Sequence, residues 1–392
     1  MTQPFARDRF TWLAYLMLGY FAYLEAVLGP AMPFLKDDLH LEYWEAGLHS
    51  SAVALGVMIN GIAAAWIVNR WGRRITFWAG GAGMAAGVLL LVWGRSLWIT
   101  IPGAFIMGLW GGFLLITIQA ALSDRHGQHR MVAIAEANVI ASIATMFAPM
   151  LTGNLERFGF GWRGALYVMV FVWGTLLLMF WREPFPESEP ISDANREAAR
   201  RPLPPVFWAY LAALLLVVAL EWCMILWAAD FLNKVVDFSK EDASSLITLF
   251  FLAMVIGRFA GSRLARTMRS DALLAVAIGV TAVGFPIFWL SPLPALNVLG
   301  LFLCGLGVAN LYPIGVSLAL SIVPKQATTA TAILSVGVSS AIMIVPQLLA
   351  AAADAVGIRT AYGLVVIIIV CGSGLMVFAN RLATRHNLTA ET

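Results

Sequence analysis

Four ionisable side chains stand inside long apolar stretches of this sequence: Glu25, Glu136, Glu221 and Arg258. An ionised group at the centre of a bilayer costs about 2.5–3.5 kcal/mol even on insertion scales, so its presence there marks a function. For a carboxyl in apolar surroundings, that chemistry is the uptake and release of a proton. Residues at i±3 and i±4 share a carboxyl's helical face. Around Glu25 these are Phe21, Ala22, Leu28 and Gly29; around Glu221 they are Val217, Val218, Met224 and Ile225. Both faces are apolar. The competing reading of each acid is a protonated side chain bonded to a neighbouring helix, structural only. Glu136 follows Arg130 closely, near a span end, where it can serve proton coupling or pair with a loop arginine. Arg258 stands about two turns before a span end and can snorkel; gating or structural pairing is its expected role. Trp110, Gln119, Asn138, Trp222, Trp227, Asn310, Tyr312 and Gln347 fall at depths suited to lining a substrate cavity.

The elements that carry these groups follow from composition. Hydrophobic residues make up 60% of the 392 positions, charged residues 12%, and mean hydropathy is +0.83. A water-facing surface needs about a quarter charged residues, so lipid is the main solvent. The apolar stretches run to about 20 residues, enough to cross a hydrocarbon core of ~30 Å as helix. The ~10-residue alternation of a membrane barrel is not seen. Twelve spans are expected, near 10–35, 44–69, 75–93, 97–123, 130–155, 162–182, 206–232, 241–267, 270–290, 294–322, 326–353 and 358–381. The first lacks a small-residue cleavage site and is too long for a signal peptide, so it is expected to remain as a helix. Pro30 and Pro33 in the first span and Pro313 in the tenth are expected to kink or break their helices. Residues 183–205, proline-rich at both ends, read as a linker between six-helix bundles at 1–182 and 206–392.

With the N-terminus inside, seventeen lysines and arginines fall on the cytoplasmic side and seven on the other. That bias places both termini and the linker in the cytoplasm of an inner-membrane protein. Cys223, Cys304 and Cys371 lie far apart in apolar segments and read as apolar fillers rather than disulfide or metal groups. The five histidines, 40, 49, 126, 129 and 386, fall in loops or near span ends. No metal cluster and no Ser/His arrangement emerges at membrane depth, so neither catalytic residues, cofactor nor metal is expected. The modest net charge of +3 comes from loops and implies no nucleic-acid partner. The expected partners are a small-molecule substrate, protons and the lipid bilayer, and the expected assembly is a monomer.

The two halves repeat. An offset of 196 carries Glu25 onto Glu221, Gly61 onto Gly257, Arg70 onto Arg266, and Gly161-Trp162-Arg163 onto Gly357-Ile358-Arg359. Pro149 and Pro346 match at 197. An even number of spans per half makes the repeats parallel, related by an axis along the membrane normal. Gly108-Leu109-Trp110-Gly111-Gly112 and its counterpart Gly305-Leu306-Gly307 would let helices approach closely or bend.

Over its whole length the sequence resembles the major facilitator superfamily. The segment from Ala65 to Arg74 is similar to that family's signature G-x-L-A-D-R-x-G-R-K, with Arg70, Gly72, Arg73 and Arg74 matching. Ala65 stands for the glycine and Asn69 for the aspartate that, in the family, helps latch the cytoplasmic ends of the halves. The second copy keeps Gly261 and Arg266. The resemblance implies an all-α fold of two six-helix bundles, with Asn69, Arg70, Gly72, Arg73, Arg258 and Arg266 concerned in gating. It also implies a substrate site near the midplane lined by the first and seventh spans, which would place Glu25 and Glu221 across a shared cavity. Two or three acids against one off-centre base disfavour anionic cargo. Ala144-Thr145-Met146-Phe147-Ala148-Pro149 with Gly153 is loosely similar to the glycine-proline motif of proton-coupled drug antiporters, with alanines at the expected glycines and no arginine in the fourth span. The expected function is proton-coupled efflux of a lipophilic or cationic compound. The alternatives are proton-coupled uptake of a neutral solute such as a sugar, and a membrane receptor that transports nothing.

Overall fold

The computed structural model describes residues 5–186, 202–323 and 326–390, and the backbone alone at 61–66, 69, 270, 327–328 and 384–390. The regular structure of the described residues is all helical, without strands. In chain order the helices are α1 (Arg9–Ala26), α2 (Leu28–Leu39), α3 (Tyr43–Trp71), α4 (Arg73–Trp93), α5 (Leu97–His126), α6 (Arg130–Arg157), α7 (Gly164–Phe180), α8 (Pro205–Lys234), α9 (Lys240–Leu264), α10 (Ser270–Leu290), α11 (Pro294–Ser321), α12 (Ala327–Val356), α13 (Ile358–Ala361) and α14 (Gly363–Ala390). Residues 187–201 of the expected linker lie outside the described residues.

Among the described residues these helices make twelve spans. Eight apolar stretches meet a strict test of length and hydropathy on their own, and α1 with α2 meets it as a bent pair. One of the eight, Leu97–Arg157, is two spans, because the short turn Gly127–His129 joins α5 to α6. The remaining two are α7, apolar but 17 residues long, and α3, part of whose side chains are not described.

Proline explains the first break. Pro30 has no N–H to offer the Ala26 carbonyl, and its ring presses on that same carbonyl one turn back. The helix accordingly ends at Ala26, restarts at Leu28, and bends by 42°. The span also runs further than its hydropathy suggests, to Leu39, so Lys36 and Asp37 are helical rather than loop residues. Pro313, by contrast, stays inside a continuous α11.

The described residues form two compact units, one on each side of residues 187–201, with residues 240–245 belonging to the first. In the first, α1 packs on α6 and α4 on α5; in the second, α8 packs on α12 and α10 on α11. Helices that are apolar on every face belong in a core. Accordingly α1 and α8 are largely enclosed in their units: Leu13, Tyr15 and Met17 are buried in one, Phe207, Tyr210 and Leu214 in the other.

The repeat is visible in the contacts. A Cβ at Gly103 would stand 2.9 Å from the Gly87 carbonyl oxygen, and one at Gly300 would stand 2.8 Å from that of Gly284. Likewise Gly108 lies against the Val53 backbone and Gly305 against the Phe250 backbone. These pairs correspond at a constant offset, so the same backbone approaches are made by the same glycines in both units. Gly161 and Gly357 match in conformation too, with φ of 79° and 78°, a region open to glycine at little cost.

Candidate functional site

The second unit gathers the sharpest constellation. Glu221, near the middle of α8, is half-buried among the wholly or nearly buried side chains of Val217, Val218, Met224 and Ile225. It interacts electrostatically with Arg258 of α9 and with the Tyr312 hydroxyl of α11. Three helices thus set a base and a phenol within electrostatic reach of one acid; the acid stands among apolar side chains, while Arg258 is exposed. Sequence reading singles out all three residues but not their association, because the register between helices is a property of packing.

Asn310, two residues before Tyr312, turns away to donate from Nδ2 to the Gly257 carbonyl oxygen at 2.7 Å. Gly261 packs directly on that amide. Asn310 therefore fastens α11 to α9 beside Arg258. Trp227 is wholly buried, and its indole N–H donates to the Pro346 carbonyl oxygen at 3.1 Å, joining α8 to α12. Proline at 346 leaves a carbonyl one turn earlier without its helical donor; the Trp227 bond falls at Pro346 itself, within a continuous α12. Trp222 is half-buried, and Gln347 follows Pro346 on α12.

In the first unit, Glu25 is half-buried in the last turn of α1, two residues before the break at Val27. Phe21 and Leu28 beside it are buried. Glu136 lies elsewhere, in the second turn of α6. Arg7 grips its carboxylate with two bonds of 2.7 and 2.5 Å, and the Tyr15 hydroxyl donates a third at 3.1 Å. Pairing with an arginine outside the spans, one of the two expectations for Glu136, is the arrangement found. Asn138 is exposed and donates to the Ile134 carbonyl of its own helix at 2.8 Å. Trp110 on α5 covers Gly83 of α4 and stacks on Trp71 with ring centroids 6.3 Å apart. Gln119 is exposed.

The signature segment occupies the turn between α3 and α4. Gly72 has φ of 79°, which explains a glycine at that point. Arg73 pairs with Asp124 at the end of α5 at 2.5 Å, and Arg74 bonds the Trp181 carbonyl oxygen. Arg70 is exposed in the last turn of α3, and Arg266 is exposed in the turn after α9. The Asn69 side chain lies outside the described residues.

Sequence reasoning passes over two buried ionisable groups. Asp230 on α8 is wholly buried, and so is His49, which bonds the Ala46 carbonyl and the Thr100 hydroxyl at 3.0 and 2.9 Å. Each lies within a few residues of a span end, where a charged residue signals nothing. Their burial comes from neighbouring helices. It also missed Asp8, which accepts from the Thr11 N–H at 2.8 Å and from Arg125 at 2.5 Å. The D-x-x-T spacing of a helix cap was the available signal. Cys223 and Cys304 are buried, as expected of fillers, while Cys371 is exposed.

Comparison with known proteins gives this arrangement its context. A family model described as the Major Facilitator Superfamily matches residues 11–238 and again 218–391. Protein TsgA of Shigella boydii serotype 18 is 24% identical over 298 residues, 72% of each chain. Protein TsgA of Salmonella typhimurium is 22% identical over 284 residues, 71% of each. Among solved structures, a bacterial homolog of the human lysosomal transporter Spinster, inward-facing and occupied, superposes with a TM-score of 0.82 at 15% identity, covering 97% of this chain and 98% of that one. The nucleoside transporter NupG gives 0.75 at 11% identity, covering 93% and 99%. These two likenesses show the fold alone; the family model, matching both halves of a twelve-span helical chain, shows more, and the chain belongs to the Major Facilitator Superfamily of membrane transporters.

Proposed function

We propose that this chain is a proton-coupled secondary transporter of the inner membrane that exports lipophilic or cationic compounds, with Glu221 as its principal proton-carrying group. The observation that carries the reading is the association of Glu221 with Arg258 and Tyr312. The attraction of Arg258 for this side chain exists only while the carboxylate is ionised. Taking up a proton removes the attraction, and losing the proton restores it. Protonation is thereby linked to the positions of α8 and α9, a differential interaction of the kind that can bias two conformations. Glu25, equivalent in the repeat and next to the Pro30 break, is the second acid of the scheme. Acids outnumber the single base among these mid-helix charges, which favours cationic over anionic cargo. The lysine and arginine bias supports cytoplasmic termini.

The test uses proteoliposomes with an imposed pH gradient and a fluorescent lipophilic cation as the transported probe. Wild-type protein should move the probe against its gradient when protons flow the other way. Glu221→Gln should lose gradient-driven accumulation yet keep probe exchange across the membrane, and Glu25→Gln should weaken it. Unchanged proton dependence in both variants sinks the coupling assignment. Accumulation of a neutral sugar with protons, and no movement of the cation, moves the function to uptake.

A further inference from the structure

The second unit holds a cavity that the transport scheme does not use. It lies between α10, α11 and α14, where α10 begins, and its volume is about 490 Å³. Its walls divide by chemistry. Arg269, Asp271 and Arg381 form the polar rim, and Leu274, Leu318 and Val377 form an apolar floor. Val377 is 45% exposed and Phe378 beside it 53%, so the mouth opens at an apolar surface of a membrane-spanning helix. An apolar outer surface on a spanning helix belongs against acyl chains, and a charged rim at its end belongs at the boundary with water.

The rim is net positive. Arg269 makes two bonds to the Asp271 carboxylate, at 3.2 and 3.1 Å, which fixes its guanidinium at the start of α10. Arg381 makes no ion pair among the described residues. One positive charge therefore remains uncompensated. Asn380 is held at the rim by the Tyr210 hydroxyl, which donates to its Oδ1 at 2.5 Å. From the floor an apolar seam runs toward the middle of the unit. It shares Ile278 with the cavity and continues past Leu220, Leu311, Ile368 and Met376. The seam encloses only about 10 Å³ and Leu220, Leu311, Ile368 and Met376 are buried in it, so a hydrocarbon chain would lie along its half-buried edge, past Ile278, Leu216 and Ile369, rather than inside it.

We propose that this cavity binds an anionic phospholipid, with the phosphate on Arg381 and Arg269 and one acyl chain laid along the seam. A basic pocket between helices at a membrane surface selects anionic headgroups. The seam adds what a soluble anion cannot use, apolar contact continuous with the headgroup site. A choline lipid carries no net charge to meet the rim. The lipid would bridge the start of α10 to the last turns of α14, tying together two helices of one unit.

Native mass spectrometry of the purified full-length protein in detergent tests the proposal, with phosphatidylglycerol and phosphatidylcholine of identical acyl chains as probes. Phosphatidylglycerol should be retained in preference. Arg381→Gln should weaken it about fivefold, the effect of one arginine beside an anionic lipid. Arg269→Gln should act similarly; because it also disrupts the Asp271 pair, Arg381→Gln, which breaks no pair, is the decisive variant. Leu318→Trp should obstruct the floor and weaken the lipid while both arginines remain. Arg263→Gln, the same charge change on an exposed residue outside the cavity, should leave retention unchanged. Equal retention of the two lipids overturns the proposal, as does an equal loss in Arg263→Gln. Displacement of the lipid by millimolar inorganic phosphate would reassign the rim to a soluble anion.

Discussion

A single carboxylate ties the first helix to the end of the fourth span. Asp8 caps α1 through the Thr11 N–H, bonds the Thr11 hydroxyl at 2.7 Å, and takes the Arg125 guanidinium. Desolvation alone would raise its pKa, but the bonds from Thr11 and the charge of Arg125 outweigh it, and the pKa falls below the ordinary 3.8. A group whose pKa is depressed by folding adds stability above its unfolded pKa and loses it as pH falls through the folded one. Asp8→Ala should therefore cost about 1 kcal/mol at neutral pH, the usual effect of a lost cap. Thermal unfolding in detergent should show that gap steady from pH 7 down to about 5 and closing only below about 4. A gap that widened in acid would contradict the assignment. At this scale the sequence was read best where a charge stood in mid-span. Glu25, Glu221 and Arg258 announce themselves against hydrocarbon, whereas Asp230 and His49 lie near span ends and owe their burial to neighbours. The partners of Glu221 were likewise individually visible and jointly invisible.

Between helices, glycine sets how near two backbones come. The Gly87–Gly103 and Gly284–Gly300 approaches leave no space for a side chain. A Cβ at Gly300 would also meet the Phe288 backbone, which cannot swing aside as a side-chain tip can. Gly300→Val should force α10 and α11 apart and destabilise the protein by about 1–3 kcal/mol, the range for an overpacked core. Gly174 in α7 makes the opposite case, with nothing within 4 Å of an added Cβ. Gly174→Ala should stabilise by about 0.5–1 kcal/mol, through helix propensity alone. Opposite shifts in the unfolding midpoint are the expected result; parallel shifts would remove the close-approach argument. The helices themselves were largely legible, since hydropathy sets their length. Their ends were less so: α2 carries Lys36 and Asp37 beyond the apolar stretch because backbone bonding continues there. Pro30 and Pro313 show the limit of local rules. The first breaks its helix and the second does not, although both remove the same hydrogen bond.

Across the whole molecule, the repeat and the lysine and arginine distribution carry different information. The repeat says that the units are built alike, which shared glycine contacts and the matched φ values at Gly161 and Gly357 bear out. The basic bias speaks to which side each loop faces, and it yields a prediction that packing does not. Ser96 opens α5 on the side expected to face outward, and Gln128 lies in the turn after α5 on the side expected to face the cytoplasm. Cys223 and Cys304 are buried, so replacing Cys371 with Ala leaves a background that reacts little with polar thiol reagents. In that background, a membrane-impermeant maleimide should label Ser96→Cys in intact cells. Gln128→Cys should be labelled only after the membrane is opened. The reverse pattern would invert the chain in the bilayer and place the Arg269 and Arg381 rim on the outer face. It would leave the acid–base–phenol grouping of the second unit untouched, since that depends on packing within the unit and not on the side it faces.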